Sequence, residues 1–411
     1  MSAEARRYCR YMIFRLDDEN VGFPDPRLAE PDGMLALGGG MTTEWLLNAY
    51  YLGIFPWYDD GGGTPYWYSP EQRMLLFPGE FCCAKSLRRT LRSGRFEVRV
   101  DTAFRRVMEQ CASVKREGQD CGSWISKQFV DSYCELHRMG LAHSFETYRD
   151  GELVGGLYGV SISDYFCGES MFHTVTDASK VAFARMVEFA QLHGFRFIDA
   201  QMYTDHLASL GAREVPRDEF LKLLEGQDIG KTYKGRWKNN SVVLLIGGNM
   251  GDRVATLVRA IVEISKRIGT VSQISSIYET EPWGFETEQN FLNQALVVDT
   301  DLTSHEVLVE ALRIEKDLGR ERNAAVSTAQ NSKLNNRNYA SRPIDIDLIF
   351  YNSEIVDTAD LQLPHPRMQD RRFVLVPLSE IIPDYQHPKF HKSIWLLLEE
   401  CGDTGDVNKF F

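Results

Sequence analysis

The chain has 411 residues, more than the roughly 250–300 that a single hydrophobic core supports, so at least two domains are expected. Its formal net charge of −12 excludes general affinity for nucleic acid and requires any RNA partner to meet a local basic patch. The eight cysteines have no metal-ligand spacing, and no apolar run of about 18 residues and no signal-peptide-like N-terminus are present. These features together predict a cytoplasmic protein.

The first half of the chain changes character near residue 80. Residues up to about 80 are rich in glycine, proline and aromatic side chains and are expected to form a small subdomain. The larger part, 81–228, has an α/β pattern. It predicts strands at 143–149, 152–161 and 195–199 and helices at 179–192, 205–210 and 218–225, with a hairpin turn at Asp150-Gly151 and Thr204 as a helix cap.

Polar, glycine-containing residues join the two halves. Residues 226–240 read GQDIGKTYKGRWKNN and show no apolar period. We interpret 229–240 as a solvated linker, which leaves 1–228 and 241–411 as the two domains.

The second half shows regular alternation of strands and helices. It predicts strands at 241–246, 270–278, 291–299 and 343–350 and helices at 252–267 and 304–318, the latter capped by Ser304. This βαββαβ order predicts a ferredoxin-like α+β fold, in which helices cover one face of an antiparallel sheet.

A pair of acidic residues stands out in the last of these strands, RPIDIDLIFY. Because alternate residues of a strand share a face, Asp345 and Asp347 are expected to point together, away from the core. Two adjacent carboxylates with nearby arginines are suited to Mg²⁺ and a polyphosphate. The nearby arginines are Arg320, Arg322, Arg342 and Arg371. The polar face of a half-exposed strand is the simpler alternative.

Six ordered segments of this half resemble one enzyme family. They are LLIGGNMGDR, YETEPWGF, NFLNQAL, RIEKDLGRER, RPIDIDLIFY and PHPRMQDRRFVLVPL. They are similar to 6-hydroxymethyl-7,8-dihydropterin pyrophosphokinase, which transfers diphosphate from ATP to a pterin and releases AMP. The chain departs from this family in a long loop at 323–340 and in Ala340-Ser341, where Gly-Pro is usual.

The resemblance implies a role for each matching residue. Asp345 and Asp347 would bind two Mg²⁺ ions. Nucleotide and phosphates would be held by Glu315, Arg320, Arg322, Arg342, His365 and Arg371, with Arg320 and Arg322 on a mobile loop. The pterin would lie between Phe291 and Phe373 and would contact Asn293 and the backbone of Thr280 and Trp283.

A basic segment and several embedded polar residues mark the first half. Residues 85–99 carry six basic side chains against one acidic, which indicates a phosphate-backbone partner or simply a solvated charged face. Glu169, Asp199 and Gln201 interrupt apolar strands and need hydrogen-bond partners if they are buried. Asp199 and Gln201 are two residues apart and are expected to share a strand face.

The first half resembles a second family over about residues 20–225. The matching segments include EPDGMLALGG, AYYLGIFPWY, YWYSPEQR, AHSFETY, FCGESMF, FIDAQM and HLASLGA. They are similar to leucyl/phenylalanyl-tRNA–protein transferase, which moves Leu or Phe from aminoacyl-tRNA to a protein whose N-terminal residue is Lys or Arg. The resemblance implies an acetyltransferase-like fold. His173 departs from the small polar residue that is usual in the family.

This second resemblance also implies residue roles. Asp199 and Gln201 would orient and activate the acceptor amine, and Glu169 would contact the basic end of the acceptor. The terminal adenosine would be held by Tyr50, Trp57 and Trp124. The Leu or Phe side chain would lie among Leu157, Phe166, Met171, Phe183, Met186 and Ile198.

Two alternatives remain open for the first half and one for the second. A CoA-dependent N-acyltransferase would require a glycine-bearing turn at a helix N-terminus, and the candidate turn HTVTDASKVAFA has none. A non-catalytic RNA- or peptide-binding module would not require Glu169, Asp199 and Gln201. The second half could instead be a nucleotide-binding regulator without turnover.

Overall fold

The computed structural model describes residues 13–17, 19–58, 64–114, 125–235, 237–281, 289–320 and 341–410. They fall into two compact units. The first contains residues up to Ala190 and Phe195–Trp237, and the second contains Gln191–Gly194 and the chain from Lys238 onward. In the ranges described, no helix is long and apolar enough to cross a membrane.

The first unit begins with a four-stranded sheet. Its elements are β1 (Phe14–Leu16), β2 (Met34–Gly38), α1 (Thr43–Tyr51), β3 (Phe55–Tyr58) and β4 (Pro65–Tyr68). The strands lie in the order β1-β2-β4-β3. Its aromatic residues form a core in which the rings of Trp45 and Trp67 stack and Trp67 Nε1 donates to the carbonyl of Gly38 at 2.9 Å.

A seven-stranded sheet forms the rest of this unit. Its strands are β5 (Gln72–Leu76), β6 (Glu97–Val100), β7 (Ala142–Arg149), β8 (Glu152–Ile162), β9 (Tyr165–His173), β10 (Phe197–Asp199) and β11 (Arg213–Pro216). The helices are α2 (Lys85–Arg92), α3 (Phe104–Ser113), α4 (Lys127–Arg138), α5 (Ala178–Leu192), α6 (Asp205–Ser209) and α7 (Arg217–Leu224). The strand order is β11-β5-β10-β9-β8-β7-β6, with β9 and β10 parallel.

Local sequence explains the connections that shape this sheet. Asp150 and Gly151 both have positive φ, as the predicted tight hairpin between β7 and β8 requires. Thr204 caps α6 by accepting a hydrogen bond from Leu207 N. Strand β5 precedes residue 80 but pairs with β10 and β11 in the larger sheet, so the boundary between the two sheets falls before Gln72.

The segment predicted as a solvated linker packs onto the first unit instead. Trp237 is 1% exposed and stacks on His143 with ring centroids 3.6 Å apart. Its backbone N–H donates to Asp101 Oδ2 at 3.0 Å. Thr232 is buried too, and its hydroxyl accepts a hydrogen bond from Ser163 N at 2.8 Å. The prediction of a solvated linker is therefore wrong for this segment. Its mostly polar composition gave no indication that Trp237 would be buried.

The second unit is built on an antiparallel sheet. Its strands are β12 (Asn240–Gly248), β13 (Thr270–Ile274), β14 (Tyr278–Thr280), β15 (Phe291–Thr300), β16 (Asp345–Tyr351) and β19 (Val407–Lys409), with a separate pair β17 (Val356–Asp357) and β18 (Gln362–Leu363). The helices are α8 (Arg253–Arg267), α9 (Ser304–Asp317), α10 (Arg372–Ile381) and α11 (Ile394–Glu399). The order is β16-β12-β15-β14-β19, and β13 also pairs with β15.

Two local predictions for this unit are corrected. The N-cap of α9 is Thr303 and not Ser304, because Thr303 and Glu306 form a reciprocal capping box. The single strand expected at 270–278 is divided into β13 and β14. Between them, Ser275 N still donates to the carbonyl of Ala295, but Ala295 N donates to the Ser275 hydroxyl at 2.9 Å, so a side chain replaces one of the two backbone bonds at that point.

Trp237→Ala should destabilise the first unit by about 3–5 kcal/mol, because it removes a fully buried aromatic side chain. Hydrogen-exchange mass spectrometry of the intact chain measures this as faster exchange in peptides from β7 and β8, without change in β12 and β15. The matched control is Trp395→Ala, since Trp395 is 55% exposed in the second unit. Unchanged exchange in Trp237→Ala would return this segment to the status of a linker.

Candidate active sites

A cavity of about 550 Å³ opens in the first unit beside β8, β9 and β10. Its wall contains most of the residues predicted to surround an apolar side chain. These are Leu157, Met171, Phe183, Met186 and Ile198, together with Trp57, Glu169 and Gln201. The structure thus brings together residues from five separate sequence segments into one largely apolar cavity with a polar end.

Phe166 and Tyr50 do not line this cavity. Phe166 is fully buried and packs in the core next to Trp237. Tyr50 is also buried, and its hydroxyl hydrogen-bonds the hydroxyl of Tyr133. Trp124 lies outside the described residues.

Glu169 forms the polar end of the cavity. Its Oε2 accepts a hydrogen bond from Tyr133 Oη at 3.1 Å, and its Oε1 accepts one from Gln201 Nε2 at 2.8 Å. Burial raises the pKa of Glu169 from 4.5 to about 7, against the hydrogen bonds from Tyr50 and Tyr133, which lower it. Burial also raises the pKa of both tyrosines well above the ordinary value. Glu169 can therefore gain or lose a proton near neutral pH.

Asp199 and Gln201 do not share a strand face as expected. Strand β10 ends at Asp199, and Gln201 has a left-handed backbone with φ +63. Asp199 is 1% exposed, and Arg73 holds both of its carboxylate oxygens, through Nε at 2.8 Å and Nη2 at 2.6 Å. Gln201 N donates to Asp199 Oδ1 at 2.9 Å. Asp199 is thus connected to the cavity through Gln201, which lines it.

Arg73 and Tyr133 were missed as parts of this site. The motif YWYSPEQR contains Arg73, but nothing local indicates that its partner lies 126 residues away. Tyr133 lies on α4, where its spacing is that of an ordinary core residue.

The predicted basic segment is partly neutralised by acidic neighbours. Arg99 makes a two-point ion pair with Glu97, at 2.7 and 3.0 Å, and Arg95 lies 3.9 Å from Asp177. Helix α2 itself, KSLRRTLR, carries four basic side chains and no acidic one, and Leu87 anchors it in the core. Basic character is thus concentrated on α2.

In the second unit, β16 has the predicted two faces. Ile346 and Leu348 are buried in the core on one side, whereas Asp345 and Asp347 are half-buried on the opposite side. Farther along β16, an irregularity in the pairing with β12 brings Phe350 into the other core cluster, with Val243 and Leu245. The aspartates open into a small cavity of about 50 Å³. Its other predicted lining residues are Thr280, Phe291, Asn293, Arg342, Arg371 and Phe373. Trp283 and Arg322 lie outside the described residues, as does the loop at 323–340.

The two aspartates have different electrostatic surroundings. Burial alone would raise the pKa of Asp345, but Arg342 and Arg320 outweigh it and hold that pKa below its ordinary value. Arg342 Nη2 lies 2.8 Å from Asp345 Oδ2, and Arg320 Nη1 also contacts this carboxylate. Burial, and after it the charge of Asp345, raises the pKa of Asp347 to about 6.

Glu315 organises this carboxylate group from behind. It is 1% exposed, and its Oε1 accepts hydrogen bonds from Ile346 N at 2.8 Å and from Arg320 Nη1 at 2.6 Å. His365 precedes Arg371 by six residues and is buried. Burial, and after it the charge of Arg371, lowers the pKa of His365 to about 3. The imidazole is therefore neutral and its Nδ1 accepts the N–H of Arg367 at 3.4 Å.

This donor set fits a magnesium ion. The described residues contain no group of three or more His, Cys, Asp or Glu side chains that could hold a metal alone. Asp345 and Asp347 supply two carboxylates on one face, and the pKa of Asp347 is raised first by burial and then by the charge of Asp345, which a cation would offset. Mg²⁺ commonly takes only one or two protein carboxylates and completes its octahedron with phosphate oxygens and water.

The predicted pterin-contacting residues lie at the same cavity. Arg342 lies 5.4 Å from the ring centroid of Phe291, and Arg371 lies 5.6 Å from that of Phe373. Asn293 Nδ2 donates to Thr280 Oγ1 at 2.8 Å, which orients the amide. A Cβ on Gly247 would lie 2.3 Å from Asn293 Oδ1, so a larger residue at this position in β12 would displace the Asn293 amide.

Asn249 is a positioning residue that sequence reasoning missed. It is 1% exposed, its Oδ1 accepts a hydrogen bond from Arg342 N at 2.9 Å, and its Nδ2 donates to Ser341 Oγ at 3.0 Å. The amide thereby fixes the backbone that leads into β16. The sequence feature that could have indicated this role is GGN within LLIGGNMGDR. From local sequence alone, GGN cannot be distinguished from an ordinary turn at the end of a strand.

Comparison with known proteins agrees with this division into two sites. Residues 39–71 match the family model "Leucyl/phenylalanyl-tRNA protein transferase N-terminal domain", and residues 75–225 match "Leucyl/phenylalanyl-tRNA protein transferase". Residues 243–383 match "7,8-dihydro-6-hydroxymethylpterin-pyrophosphokinase (HPPK)".

Individual relatives give the extent of the similarity. The leucyl/phenylalanyl-tRNA–protein transferase of Dechloromonas aromatica is 56% identical over 220 residues, which cover 53% of this chain and 93% of the relative. The corresponding protein of Desulfatibacillum aliphaticivorans is 50% identical over 223 residues, 54% of this chain and 95% of the relative.

A solved structure of a Plasmodium falciparum HPPK-DHPS triple mutant with SDX-DHP is 19% identical, with a TM-score of 0.30. The match covers 39% of this chain and 44% of that chain, so this chain spans less than half of that structure's length. The assignment of the second unit depends on the family model alone.

The two cavities and these matches define a transferase with two separate catalytic units. The chain belongs to the leucyl/phenylalanyl-tRNA–protein transferase family through its first half, and its second half contains an HPPK domain.

The stability of the first unit should fall as pH rises from about 4.5 to about 7. In this window the unfolded chain releases the Glu169 proton while the folded unit retains it, so unfolding becomes easier; the full effect is at most about 3 kcal/mol. Glu169→Gln should remove this dependence, and the exposed Glu214→Gln should retain it. Hydrogen exchange of β9 peptides at pH 5 and pH 8, corrected for intrinsic exchange, measures the difference. Equal slopes in Glu169→Gln and wild type would contradict the raised pKa.

Proposed function

We propose that the chain is a bifunctional enzyme. The first unit transfers Leu or Phe from aminoacyl-tRNA to the α-amine of a protein that begins with Lys or Arg. The second transfers diphosphate from ATP to 6-hydroxymethyl-7,8-dihydropterin and releases AMP, a step of folate biosynthesis. The observation that carries the first assignment is the apolar cavity closed by Glu169 and Gln201, and the second depends on Asp345 and Asp347 facing one cavity with Arg342 and Arg371.

The first unit performs an exchange of an ester for an amide. The Leu or Phe side chain enters the apolar cavity between Leu157, Met186 and Ile198. The acceptor amine attacks the ester carbonyl carbon, a C–N bond forms, and the C–O bond to the terminal ribose breaks. An apolar cavity of this kind selects by size and shape, at about 1–3 kcal/mol per methylene.

Glu169 and Gln201 act on the proton that the acceptor amine loses during transfer. The Gln201 amide donates to Glu169 and so turns its carbonyl oxygen toward the acceptor N–H. Glu169, with a pKa of about 7, takes the proton that the amine loses and returns it to the departing ribose oxygen. The same carboxylate interacts with the basic end of the acceptor when it is ionised. Trp57, which lies in the cavity wall, stacks on the terminal adenine.

Charge on α2 supplies the contact with the tRNA backbone. The chain is acidic as a whole, and α2 combines four basic residues with a buried anchor. Guanidinium groups on such a face bind phosphate oxygens without reading sequence.

The second unit positions two substrates and neutralises charge. Asp345 and Asp347 would hold Mg²⁺, for which we propose two ions. The metal would offset phosphate charge and align the chain of phosphates. Arg320, Arg342 and Arg371 contact phosphate oxygens. The hydroxymethyl oxygen bonds to the β-phosphorus, the bond between that phosphorus and the oxygen of the α-phosphate breaks, and AMP departs. The hydroxyl proton passes to water.

The pterin lies in the slot between Phe291 and Phe373. A flat heterocycle gains stacking energy there, and Asn293 hydrogen-bonds its edge. Glu315 and Asn249 act from behind, by holding Arg320 and the backbone of Arg342. Neutral His365 can donate or accept one hydrogen bond to the nucleotide.

The finer fold assignments follow from strand order. We assign the second unit to the ferredoxin-like class because β12, β13, β15 and β16 lie in the order β16-β12-β15-β13 with α8 and α9 as crossovers. The parallel pair β9 and β10, with α5 between them, supports an acetyltransferase-like arrangement in the first unit. We place the boundary between the functional domains between Trp237 and Lys238, where the two compact units divide.

We propose that the protein acts in the cytoplasm, because both of its substrates aminoacyl-tRNA and ATP are available there.

Asp345→Asn and Asp347→Asn should each lower AMP formation from ATP and the pterin by at least about 100-fold, because each removes several kcal/mol of charge stabilisation. The pterin alone should bind normally, since its slot is unchanged. Asp317→Asn, which breaks an exposed ion pair with Arg267 in the same unit, should leave turnover intact. Near-wild-type turnover of Asp347→Asn at limiting Mg²⁺ would remove it from the metal site, and wild-type binding of ATP without AMP release would favour the regulator alternative.

Arg88→Ala and Arg92→Ala should weaken tRNA binding and lower the slope of log K against log salt by about one unit for each phosphate that is no longer neutralised. Arg99→Ala should change the slope less, because Arg99 is already paired with Glu97. Leu transfer from charged tRNA to a peptide that begins with Arg, against one that begins with Ala, tests the reaction itself. Transfer from acyl-CoA would instead identify a CoA-dependent enzyme, and tRNA binding without transfer would identify a non-catalytic module.

A further inference from the structure

We infer that Arg73 is a positioning residue for aminoacyl transfer: it fixes Gln201 at the cavity through Asp199, and this inference rests on the function proposed above. Arg73 lies on β5 and is 1% exposed. Its guanidinium is held between the rings of Phe55 and Phe220, each with its centroid 4.7 Å away. Arg73 therefore has very little freedom to move, and what it binds is placed with corresponding precision.

The first step of the connection is the ion pair with Asp199. Two parallel contacts, at 2.8 and 2.6 Å, occupy the planar fork of the guanidinium and both carboxylate oxygens. This fixes the plane of the carboxylate as well as its position. A lysine in place of Arg73 could supply the charge but only one point of attachment.

The second step is the backbone of Gln201. Asp199 Oδ1 accepts the Gln201 N–H at 2.9 Å, and the Gln201 carbonyl accepts the N–H of Met74 at 3.1 Å. Strand β5 thus acts on both sides of this residue, through the Arg73 side chain and the Met74 backbone. The left-handed conformation, φ +63, is uncommon outside glycine and persists only where surrounding contacts enforce it.

The third step is the Gln201 side chain. From this backbone its Nε2 reaches Glu169 Oε1 at 2.8 Å, within the cavity wall. If Asp199 rotated, the Gln201 N–H would be left without its acceptor, and the backbone could relax toward an ordinary conformation that points the amide elsewhere. A displacement of about 1 Å at a reacting group can cost about 100-fold in rate.

A purely stabilising role for the ion pair predicts something different. Buried ion pairs can often be replaced by apolar residues without loss of stability, because burial costs about as much as the attraction gains. If the pair only stabilised the sheet, an apolar replacement that folds would also be active. If it positions Gln201, such a replacement folds and remains slow.

The test is a double-mutant cycle between Arg73→Lys and Gln201→Gly in the full chain. Each single variant should lower kcat for Leu transfer by about 10- to 100-fold and leave KM for Leu-tRNA unchanged, since the apolar wall is intact. The double variant should be no slower than the slower single one, because Arg73 acts through the side chain that is missing. Arg196→Lys is the matched control: Arg196 forms a comparable two-point pair with Asp164, at 2.6 and 2.7 Å, and should leave kcat unchanged.

A second variant separates positioning from folding. Arg73→Met combined with Asp199→Leu removes both charges, and hydrogen exchange of β9 peptides reports whether the sheet is intact. A folded, slow double replacement supports the inference, and a folded, fast one overturns it. Multiplicative losses in the cycle, or wild-type kcat in folded Arg73→Lys, also overturn it. Failure of the wild-type chain to transfer Leu from charged tRNA would instead reject the proposed function.

Discussion

Both units depend on one physical constraint: a carboxylate that leaves water must be paired. Asp199 lies in an apolar sheet and is held by Arg73, and Asp345 lies at a strand edge and is held by Arg342 and Arg320. Removing one partner of such a pair costs far more than the pair contributes in net stability. The surrounding structure is organised to keep each pair intact, with aromatic rings around Arg73 and the Glu315 carboxylate behind Arg320.

Each site also contains a second carboxylate, and neighbouring charges and hydrogen bonds offset the cost of its burial only in part. The pKa of Glu169 is raised to about 7 and that of Asp347 to about 6, in both cases first by burial. The two kinds of carboxylate have different uses. A tightly paired carboxylate holds geometry, whereas one with a raised pKa can exchange a proton or attract a cation. In the first unit the paired group acts through Gln201 on the group that titrates.

The sequence predicted features that depend on local periodicity. Alternation in β16 was sufficient to place Asp345 and Asp347 on one face, and the ordered motifs identified both families and most of the cavity wall. It failed where distant contacts decide the backbone. Gln201 lies beyond the end of β10, next to Asp199, which is bound by Arg73 126 residues away. Trp237 packs against His143, which is also far away in sequence. Neither contact has a periodic signal, and each requires knowledge of the sheet order.

The central claim is that one polypeptide performs both transfers. The most direct measurement follows both reactions across the elution profile of one purified preparation on size exclusion, with Leu transfer to an Arg-initiated peptide and AMP release from ATP and hydroxymethyl-dihydropterin assayed in every fraction. The account predicts that both activities follow the intact chain at a constant ratio. A chain peak that shows only one of them, or a ratio that varies between fractions, would contradict it.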